Sequence, residues 1–195
     1  MRIGVLALQG DVREHAAMLS LLGVDAVEIR SVEELESIDG LVIPGGESTT
    51  IGRLARIYGL IEPLRERIES GMPVLGTCAG LIFLASATTG PDQPQLASLD
   101  VVVERNAFGR QVESFEADLS VRGLDVPVHA VFIRAPWIYK VGGGVEILAT
   151  VHDPAKGEDR AVFVRQDNVL ATSFHPELTN DTRIHEMLVA LVRGR

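Results

Sequence analysis

The stretch Pro73-Val74-Leu75-Gly76-Thr77-Cys78-Ala79-Gly80-Leu81 holds the only cysteine of the chain and decides the fold that we expect. A short apolar run, then Gly-x-Cys-x-Gly, predicts a buried strand, a tight turn and a helix from Leu81 to Ala87. The two glycines permit a sharp turn that pushes the cysteine side chain out above the sheet. The helix start presents free N–H groups, which favour a thiolate. A lone cysteine is otherwise a small buried apolar residue, so a nucleophile here requires a base elsewhere.

The chain before this turn alternates between strand and helix signals. Apolar runs at Arg2 to Leu8 and Gly40 to Ile43 are separated by segments of helical length, which predicts a parallel sheet with right-handed crossovers. Beyond Ser98 the chain is rich in β-type runs, so we expect mixed or antiparallel strands added to that core. Ligands gather at the carboxyl ends of parallel strands, which is where Gln9-Gly10 and Gly45-Gly46 fall.

Composition narrows the class of protein. The chain has 195 residues, of which 46% are apolar and 5% aromatic, as expected for one compact α/β domain over residues 1–195. The net charge of −9 argues against nucleic acid or an anionic membrane as the main partner. We find neither a signal-peptide pattern nor an apolar stretch of membrane-spanning length. One cysteine excludes an internal disulfide, which fits a cytoplasmic location.

A nucleophilic cysteine requires a base and a group that orients the base. His175 follows the strand Val169 to Ser173 and opens His175-Pro176-Glu177. We expect an extended segment in which Glu177 accepts a hydrogen bond from one ring nitrogen while the other faces the thiol of Cys78. A His-x-Glu pattern alone is weak, but together with the cysteine turn it predicts a Cys-His-Glu triad.

Four other histidines compete for the role of base. His152 is the next candidate after His175, since Asp153 follows it. His15 and His185 lie in helical stretches with charged neighbours, and we expect them to be surface or packing residues. His129 has no adjacent carboxylate in the matching spacing.

The loop Pro44-Gly45-Gly46-Glu47-Ser48-Thr49-Thr50 follows a predicted strand. Its glycine pair lets the backbone approach a ligand and point an N–H group inward. With the N–H group of Ala79, the Gly45-Gly46 pair would form an oxyanion hole. The same loop also suits a helix start with Ser48 as N-cap. A phosphate-binding loop is disfavoured because Glu47 stands where such a loop needs a lysine.

These elements resemble a known family. The cysteine turn, His175-Pro176-Glu177 and the Pro44-Gly45-Gly46 loop are similar to triad-type (class I) glutamine amidotransferases. Further blocks resemble the glutaminase subunits of pyridoxal 5′-phosphate synthases, and the likeness runs from Arg2 to the last helix. These blocks are Leu8-Gln9-Gly10, Pro44 to Thr50, Arg105 to Gln111, Ser114-Phe115-Glu116 and Phe132 to Pro136. The main departure is a looser and longer segment from Gly142 to Asp159.

The resemblance implies a three-layer, flavodoxin-like fold and hydrolysis of L-glutamine to L-glutamate and ammonia. Cys78 would attack the carboxamide carbon, and His175 would move the proton, through a thioester intermediate. The ammonia would pass through a channel to a (β/α)8-barrel synthase subunit in a hetero-oligomer that makes the vitamin B6 cofactor. It implies neither a cofactor nor a metal.

The resemblance also implies substrate positions. The glutamine-contacting positions of the family fall on Gly46, Glu47, Ser48, Arg105, Ile133 and Arg134. An arginine suits a substrate carboxylate, and the Glu47 carboxylate suits a substrate amino group. A surface arginine and a strand-end salt bridge are the alternatives for Arg105 and Arg134. Gln9, polar at the end of an apolar strand, is expected at the synthase interface, unless it is an ordinary solvated strand-end residue.

Three other functions remain open at this stage. The chain could serve another acceptor, such as imidazole glycerol phosphate synthase, although the Arg105 to Gln111 block and Gln9-Gly10 argue against it. It could be a stand-alone cysteine hydrolase or isomerase of the same fold. It could be a non-catalytic binding module, which the intact set of Cys78, His175 and Glu177 disfavours.

Overall fold

The computed structural model of the chain describes residues 1–105, 114–153 and 157–194. Its first part alternates strands and helices, as the sequence predicts. The elements in chain order are β1 (Arg2–Leu6), α1 (Val12–Leu21), β2 (Asp25–Ile29), α2 (Val32–Glu36), β3 (Gly40–Ile43), α3 (Ser48–Ile57), α4 (Ile61–Glu69), β4 (Val74–Thr77) and α5 (Ala79–Leu84).

The second part consists mainly of strands. The elements are β5 (Ala85–Thr88), β6 (Leu99–Glu104), β7 (Ser114–Leu119), β8 (Val128–Ile133), β9 (Trp137–Val141), β10 (Glu146–Asp153), β11 (Glu158–Gln166), β12 (Val169–Thr172), a 3₁₀ turn (Pro176–Leu178) and α6 (Arg183–Arg193). No helix within the described ranges combines the length and the hydrophobicity that crossing a bilayer requires.

A seven-stranded sheet in the order β10-β11-β12-β4-β3-β1-β2 forms the centre of the molecule. From β12 to β2 all neighbouring strands are parallel, whereas β11 runs antiparallel to both β10 and β12. Two small sheets, β5-β6-β9 and β7-β8, are added beside it. The expected parallel core with mixed or antiparallel additions in the second half is therefore confirmed.

Side chains of the central strands alternate between two apolar layers. On β3, Val42 contributes to the layer that includes α1 and α6, whereas Leu41 and Ile43 contribute to the layer that includes α3 and α4. The β7-β8 pair covers the first layer and the β5-β6-β9 sheet the second. A parallel sheet buried on both faces explains the near-continuous apolar runs of these strands. The carboxyl ends of β1, β3, β4 and β12, which are neighbours in the sheet, define one rim.

Two predicted elements end at least two residues earlier than expected. The first strand ends at Leu6 rather than Leu8, because the chain turns so that Gly10, with φ of 109°, packs its Cα against the carbonyl of Gly45. The helix after the cysteine ends at Leu84 rather than Ala87. Ala85 has extended dihedral angles and begins β5, which pairs with β6. Pairing with a distant strand overrides the local helical pattern there.

Candidate active site

The turn between β4 and α5 places Cys78 at the rim in a strained conformation. Its φ is 48° and its ψ is −99°, and its N–H group donates to the carbonyl of Thr172 on β12 at 2.8 Å. Both flanking glycines are required by close packing. A Cβ atom on Gly80 would lie 2.1 Å from the carbonyl oxygen of Ile43, and one on Gly76 would lie 2.5 Å from Leu84. A strained, packed turn of this kind presents a nucleophile rigidly above the sheet.

His175 reaches the same rim from β12. Its backbone N–H group donates to the carbonyl of Val131 on β8 at 2.9 Å, and the buried ring of Phe174 packs edge-on against Phe132 and Phe163. The segment after His175 is a 3₁₀ turn rather than the extended backbone that we expected. That turn still brings Glu177 back beneath the imidazole, with Oε1 at 2.6 Å from Nδ1 of His175.

Electrostatics join the three groups. Burial alone would lower the pKa of His175, but hydrogen bonds with Asp11, Cys78 and Glu177 outweigh it and raise that pKa to about 12. Burial raises the pKa of Glu177, and the hydrogen bond from His175 opposes that rise. A protonated imidazole is therefore held between the sulfur of Cys78 and the buried carboxylate of Glu177.

The loop after β3 differs in one respect from the expectation. The N-cap of α3 is Glu47, not Ser48, because the Glu47 carboxylate accepts hydrogen bonds from the N–H groups of Thr49 at 3.2 Å and Thr50 at 2.7 Å. These hydrogen bonds overcome the effect of burial and lower the pKa of Glu47 to about 2. Ser48 instead begins the helix and donates from its hydroxyl to Gln93 at 3.1 Å.

The glycine pair of this loop is held by the strand-end residues of β1. The carbonyl of Gly45 accepts from the N–H group of Asp11 at 3.2 Å, and Oε1 of Gln9 accepts from the N–H group of Glu47 at 2.6 Å. A Cβ atom on Gly45 would lie 2.5 Å from the ring of His175. Only glycine therefore lets this loop lie directly against the catalytic candidate His175.

A cavity of about 440 Å³ opens above Cys78 and His175. All six residues that the resemblance assigns to substrate binding line it, together with Ala79, Asp11, Ile82 and Leu178. The guanidinium of Arg105 contacts Glu47 at 3.3 Å and Gln93 at 3.1 Å. The volume of the cavity lies within the range of about 300 to 1,000 Å³ that is usual for small-molecule sites.

The end of β8 is the second strained place in this cavity. Arg134 has a φ of 44°, and the carbonyl oxygen of Ile133 lies 4.0 Å from Sγ of Cys78. Of the four non-glycine residues with positive φ in the described ranges, Cys78 and Arg134 both line the cavity, whereas Ala97 and Asp167 do not. Strain that is concentrated at one cavity is typical of a functional site.

Asp11 is the functional candidate that sequence reasoning missed. It occupies the N-cap position of α1 yet makes no capping hydrogen bond within the described chain, and its Oδ2 lies 3.5 Å from Nδ1 of His175. Potential metal-ligand atoms of Asp11, His175 and Glu177 lie within 4.8 Å of one another. Since the His175–Glu177 hydrogen bond already joins two of them, we assign the cluster to proton handling. Its place after β1 was the available signal, since β1 ends at the same rim.

Of the two positions expected for His15 and His185, surface or packing, the structure shows packing. Both side chains are completely buried, and they contact each other directly beneath Glu177. His152 and His129, in contrast, are exposed and bind the acidic side chains of their own hairpins. Neither therefore lines the cavity that contains Cys78.

Comparison with known proteins assigns the class. A solved structure described as a glutamine amidotransferase superposes on the chain with a TM-score of 0.91 and 54% sequence identity, and the match covers 98% of both chains. The fold with its cysteine turn above a parallel sheet is therefore that of the glutamine amidotransferases, as the motif resemblance implied.

The family can be stated more narrowly. Residues 5–193 match the model of the SNO glutamine amidotransferase family, and the chain belongs to that family. The pyridoxal 5′-phosphate synthase subunit PdxT of Parafrankia sp. (strain EAN1pec) is 61% identical over 99% of this chain and 94% of its own length. The PdxT subunit of Nocardia farcinica is 59% identical over 98% of this chain and 86% of its own length.

Proposed function

We propose that this chain is the glutaminase subunit of a pyridoxal 5′-phosphate synthase, folded as one domain, which hydrolyses L-glutamine and delivers ammonia to a synthase subunit in the cytoplasm. The observation that carries the proposal is the contact series Cys78–His175–Glu177 at the base of the cavity. The same cavity is lined by every residue that the family resemblance assigns to glutamine binding. The partner is inferred from the names of the relatives, which are subunits of that synthase.

In this mechanism the thiolate of Cys78 attacks the carboxamide carbon of glutamine. The protonated His175 then gives its proton to the departing ammonia, and water activated by His175 cleaves the γ-glutamyl thioester. Glu177 holds the imidazole through Nδ1, so that Nε2 exchanges the proton. The thiol, the imidazole and the carboxylate are each held by the fold at the rim of the sheet before substrate binds.

The negative charge on the tetrahedral oxygen requires N–H donors. Ala79 is the first residue of α5, so its N–H group has no partner within that helix and is available to an oxyanion. The loop of Gly45 and Gly46 supplies the second donor in the proposal. Because the Gly45 carbonyl is bound to Asp11, the N–H group of Gly46 points away from Asp11 across the same planar peptide.

The cavity suits the two charges of an amino acid. Arg105 and Arg134 line it as cations, and Asp11 and Glu47 as anions. Charged hydrogen bonds of this kind recognise a carboxylate and an ammonium group. Because the carboxylate of Glu47 is engaged at the helix start and by Arg105, we propose that it acts on the substrate as part of that ion pair.

Gln9 is proposed to relay contact with the synthase. It is partly exposed on the rim, and its side chain already binds the N–H group of Glu47 in the glycine-pair loop. A partner that contacts Gln9 would therefore act on the oxyanion loop through one hydrogen bond. Gln9→Ala should weaken activation by the synthase several-fold while leaving the thermal unfolding of the free subunit unchanged.

The test is glutamate release from L-glutamine, measured with and without added synthase subunit. We expect the rate of glutamate release to rise when the synthase subunit is added. We expect Cys78→Ala to abolish glutamate release, while circular dichroism shows that the variant keeps its fold. Glutamate release by Cys78→Ala at a rate comparable to that of the unmodified chain would overturn the mechanism. Full activity that the synthase does not change would overturn the proposed control by the partner.

A further inference from the structure

Two buried histidines lie on the side of Glu177 that faces away from the cavity. His15 is in the first turn of α1 and His185 is in α6, and neither side chain has any exposed surface. Nδ1 of His15 lies 2.9 Å from Nε2 of His185. Nε2 of His15 lies 3.1 Å from the hydroxyl oxygen of Thr77 and 3.4 Å from Oε2 of Glu177.

The surroundings of Glu177 determine which nitrogen of His15 carries the proton. Oε1 of Glu177 accepts from His175, whereas Oε2 is buried and has no hydrogen bond of ordinary geometry within the described part of the chain. An ionised carboxylate can only accept. A bare Nε2 would place its lone pair against a carboxylate lone pair in a low-dielectric interior, which is costly. Nε2 of His15 therefore carries the proton and shares it between Thr77 and Glu177.

The protonation of the other three ring nitrogens follows from this assignment. With the proton on Nε2, Nδ1 of His15 is bare and accepts from Nε2–H of His185. Nδ1 of His185 is then also bare, and it is the atom of this pair that has no partner among the described residues. An unpaired buried acceptor is tolerated better than an unpaired buried N–H group. The opposite direction of donation would leave such an N–H group on His185.

Both rings are neutral in this arrangement, which their surroundings support. Burial lowers the pKa of His185 to about 4. Burial, followed by repulsion from His185 and His175, lowers the pKa of His15 well below its usual value. Neutral imidazoles carry one N–H group each, and the assigned network uses both.

We propose that His15, oriented by His185, is a positioning residue whose Nε2–H group supports the second oxygen of Glu177 and so fixes that carboxylate against His175. The inference rests on the proposed glutaminase function, since it concerns how the triad of that reaction is held. His15 does not line the cavity that would take the substrate. Substitution of His15 should therefore change the rate of the chemical step and leave substrate binding unchanged.

The kinetic test compares two substitutions at one position, assayed in the presence of the synthase subunit. His15→Leu removes the donor, and we expect kcat to fall about tenfold with KM within about twofold. His15→Gln places an amide donor near the original Nε2, and we expect kcat within about threefold of the unmodified chain. Leu19→Ala, in the same buried face of α1, is the control: it should reduce stability without changing kcat. Equal losses in His15→Leu and His15→Gln, or an unchanged kcat in His15→Leu, would overturn the proposal.

A second measurement needs no variant and no activity. Long-range proton–nitrogen NMR correlation of the unmodified chain reports which ring nitrogen of each histidine is protonated. We expect His15 and His185 both in the Nε2–H form at neutral pH. An Nδ1–H form of His15 would overturn the proposal even if glutaminase activity is present. Absence of glutamate release with the Nε2–H form present would instead contradict the proposed function.

Discussion

The two sides of the His175–Glu177 pair are chemically different. On the cavity side lie charged, partly exposed groups, with Asp11 beside the imidazole and Glu47 paired to Arg105. On the buried side, the described residues next to Glu177 are neutral: Thr77 and His15, with His185 behind His15. Charged groups on the cavity side can be compensated by a ligand, whereas on the buried side neutral donors satisfy the carboxylate of Glu177.

This comparison separates the expected effects of substitution. Changes on the cavity side should alter how strongly substrate binds and how the imidazole is charged. Changes on the buried side should alter the chemical rate and the stability, with substrate binding unchanged.

Loss of the base should be the most severe change to the pair. His175→Asn removes the imidazole that contacts Cys78, and we expect glutamate release to fall about 10²–10⁴-fold. Glu177→Gln should retain more activity, about a tenth of the original, because Oδ2 of Asp11 lies 3.5 Å from the same ring nitrogen. Steady-state kinetics of both variants measure this.

A double-mutant cycle identifies the source of the remaining activity. Asp11→Asn alone should have a small effect, whereas Asp11→Asn combined with Glu177→Gln should approach His175→Asn. If the free-energy effects of the two substitutions simply add, Asp11 does not support the imidazole.

Substrate binding should depend on Arg105. Arg105→Met keeps the length of the side chain and removes the charge. Because charged hydrogen bonds to the substrate are lost, we expect KM for L-glutamine to rise about 10–100-fold, with kcat nearly unchanged. Arg122→Met is the matched control, since Arg122 pairs with Glu146 at the exposed surface. A KM for Arg105→Met equal to that of the control would place the carboxylate of the substrate elsewhere.

Stability should depend on pH through the buried side. The pKa of His185 is lowered from 6.5 to about 4 by burial, so the unfolded chain binds the proton more tightly. The stability gained from a neutral His185 is therefore present above pH 6.5 and is lost as the pH falls toward 4.

Between pH 7 and pH 5, protonation of His185 in the unfolded chain should lower the free energy of unfolding by about 2 kcal/mol. His185→Gln should abolish this part of the pH dependence. Urea unfolding at both pH values measures the difference, and subtraction cancels the other titrating groups. His152→Gln, at an exposed histidine, serves as the control and should keep the original pH dependence. Identical pH dependence in His185→Gln and in the unmodified chain would show that His185 is not buried neutral.

Much of the fold and of the candidate site follows from local sequence. The turn around Cys78 is determined by its two flanking glycines, and β1, β3, β4 and β12 are short, nearly continuous apolar runs, as expected for strands buried on both faces of a sheet. The end of the helix at Leu84 and the strand at Trp137–Val141 depend on pairing with Leu99–Glu104, which is distant in sequence. Such pairings are not written in a local pattern.

The buried histidines carry a sequence signal that decides between a surface and a packing position. The charged neighbours Arg13 and Glu14 leave both positions open for His15, but Met18 and Leu19, three and four residues further along α1, form one buried stripe with it. His185 shows the same spacing with Leu188 and Val189. The helical period places both rings inward, whereas the contact of His185 with His15, and of His15 with Glu177, requires elements that meet only in the folded chain.

Covalent capture tests whether Cys78 is the nucleophile of a glutaminase. The chain with its synthase subunit is treated with a glutamine-analogue electrophile, and the modified residue is located by mass spectrometry while glutamate release is followed. We predict one label per chain, on Cys78, formed more slowly when L-glutamine is present, with activity lost in proportion to labelling. Glutamate release that persists after Cys78 is fully modified would contradict the account.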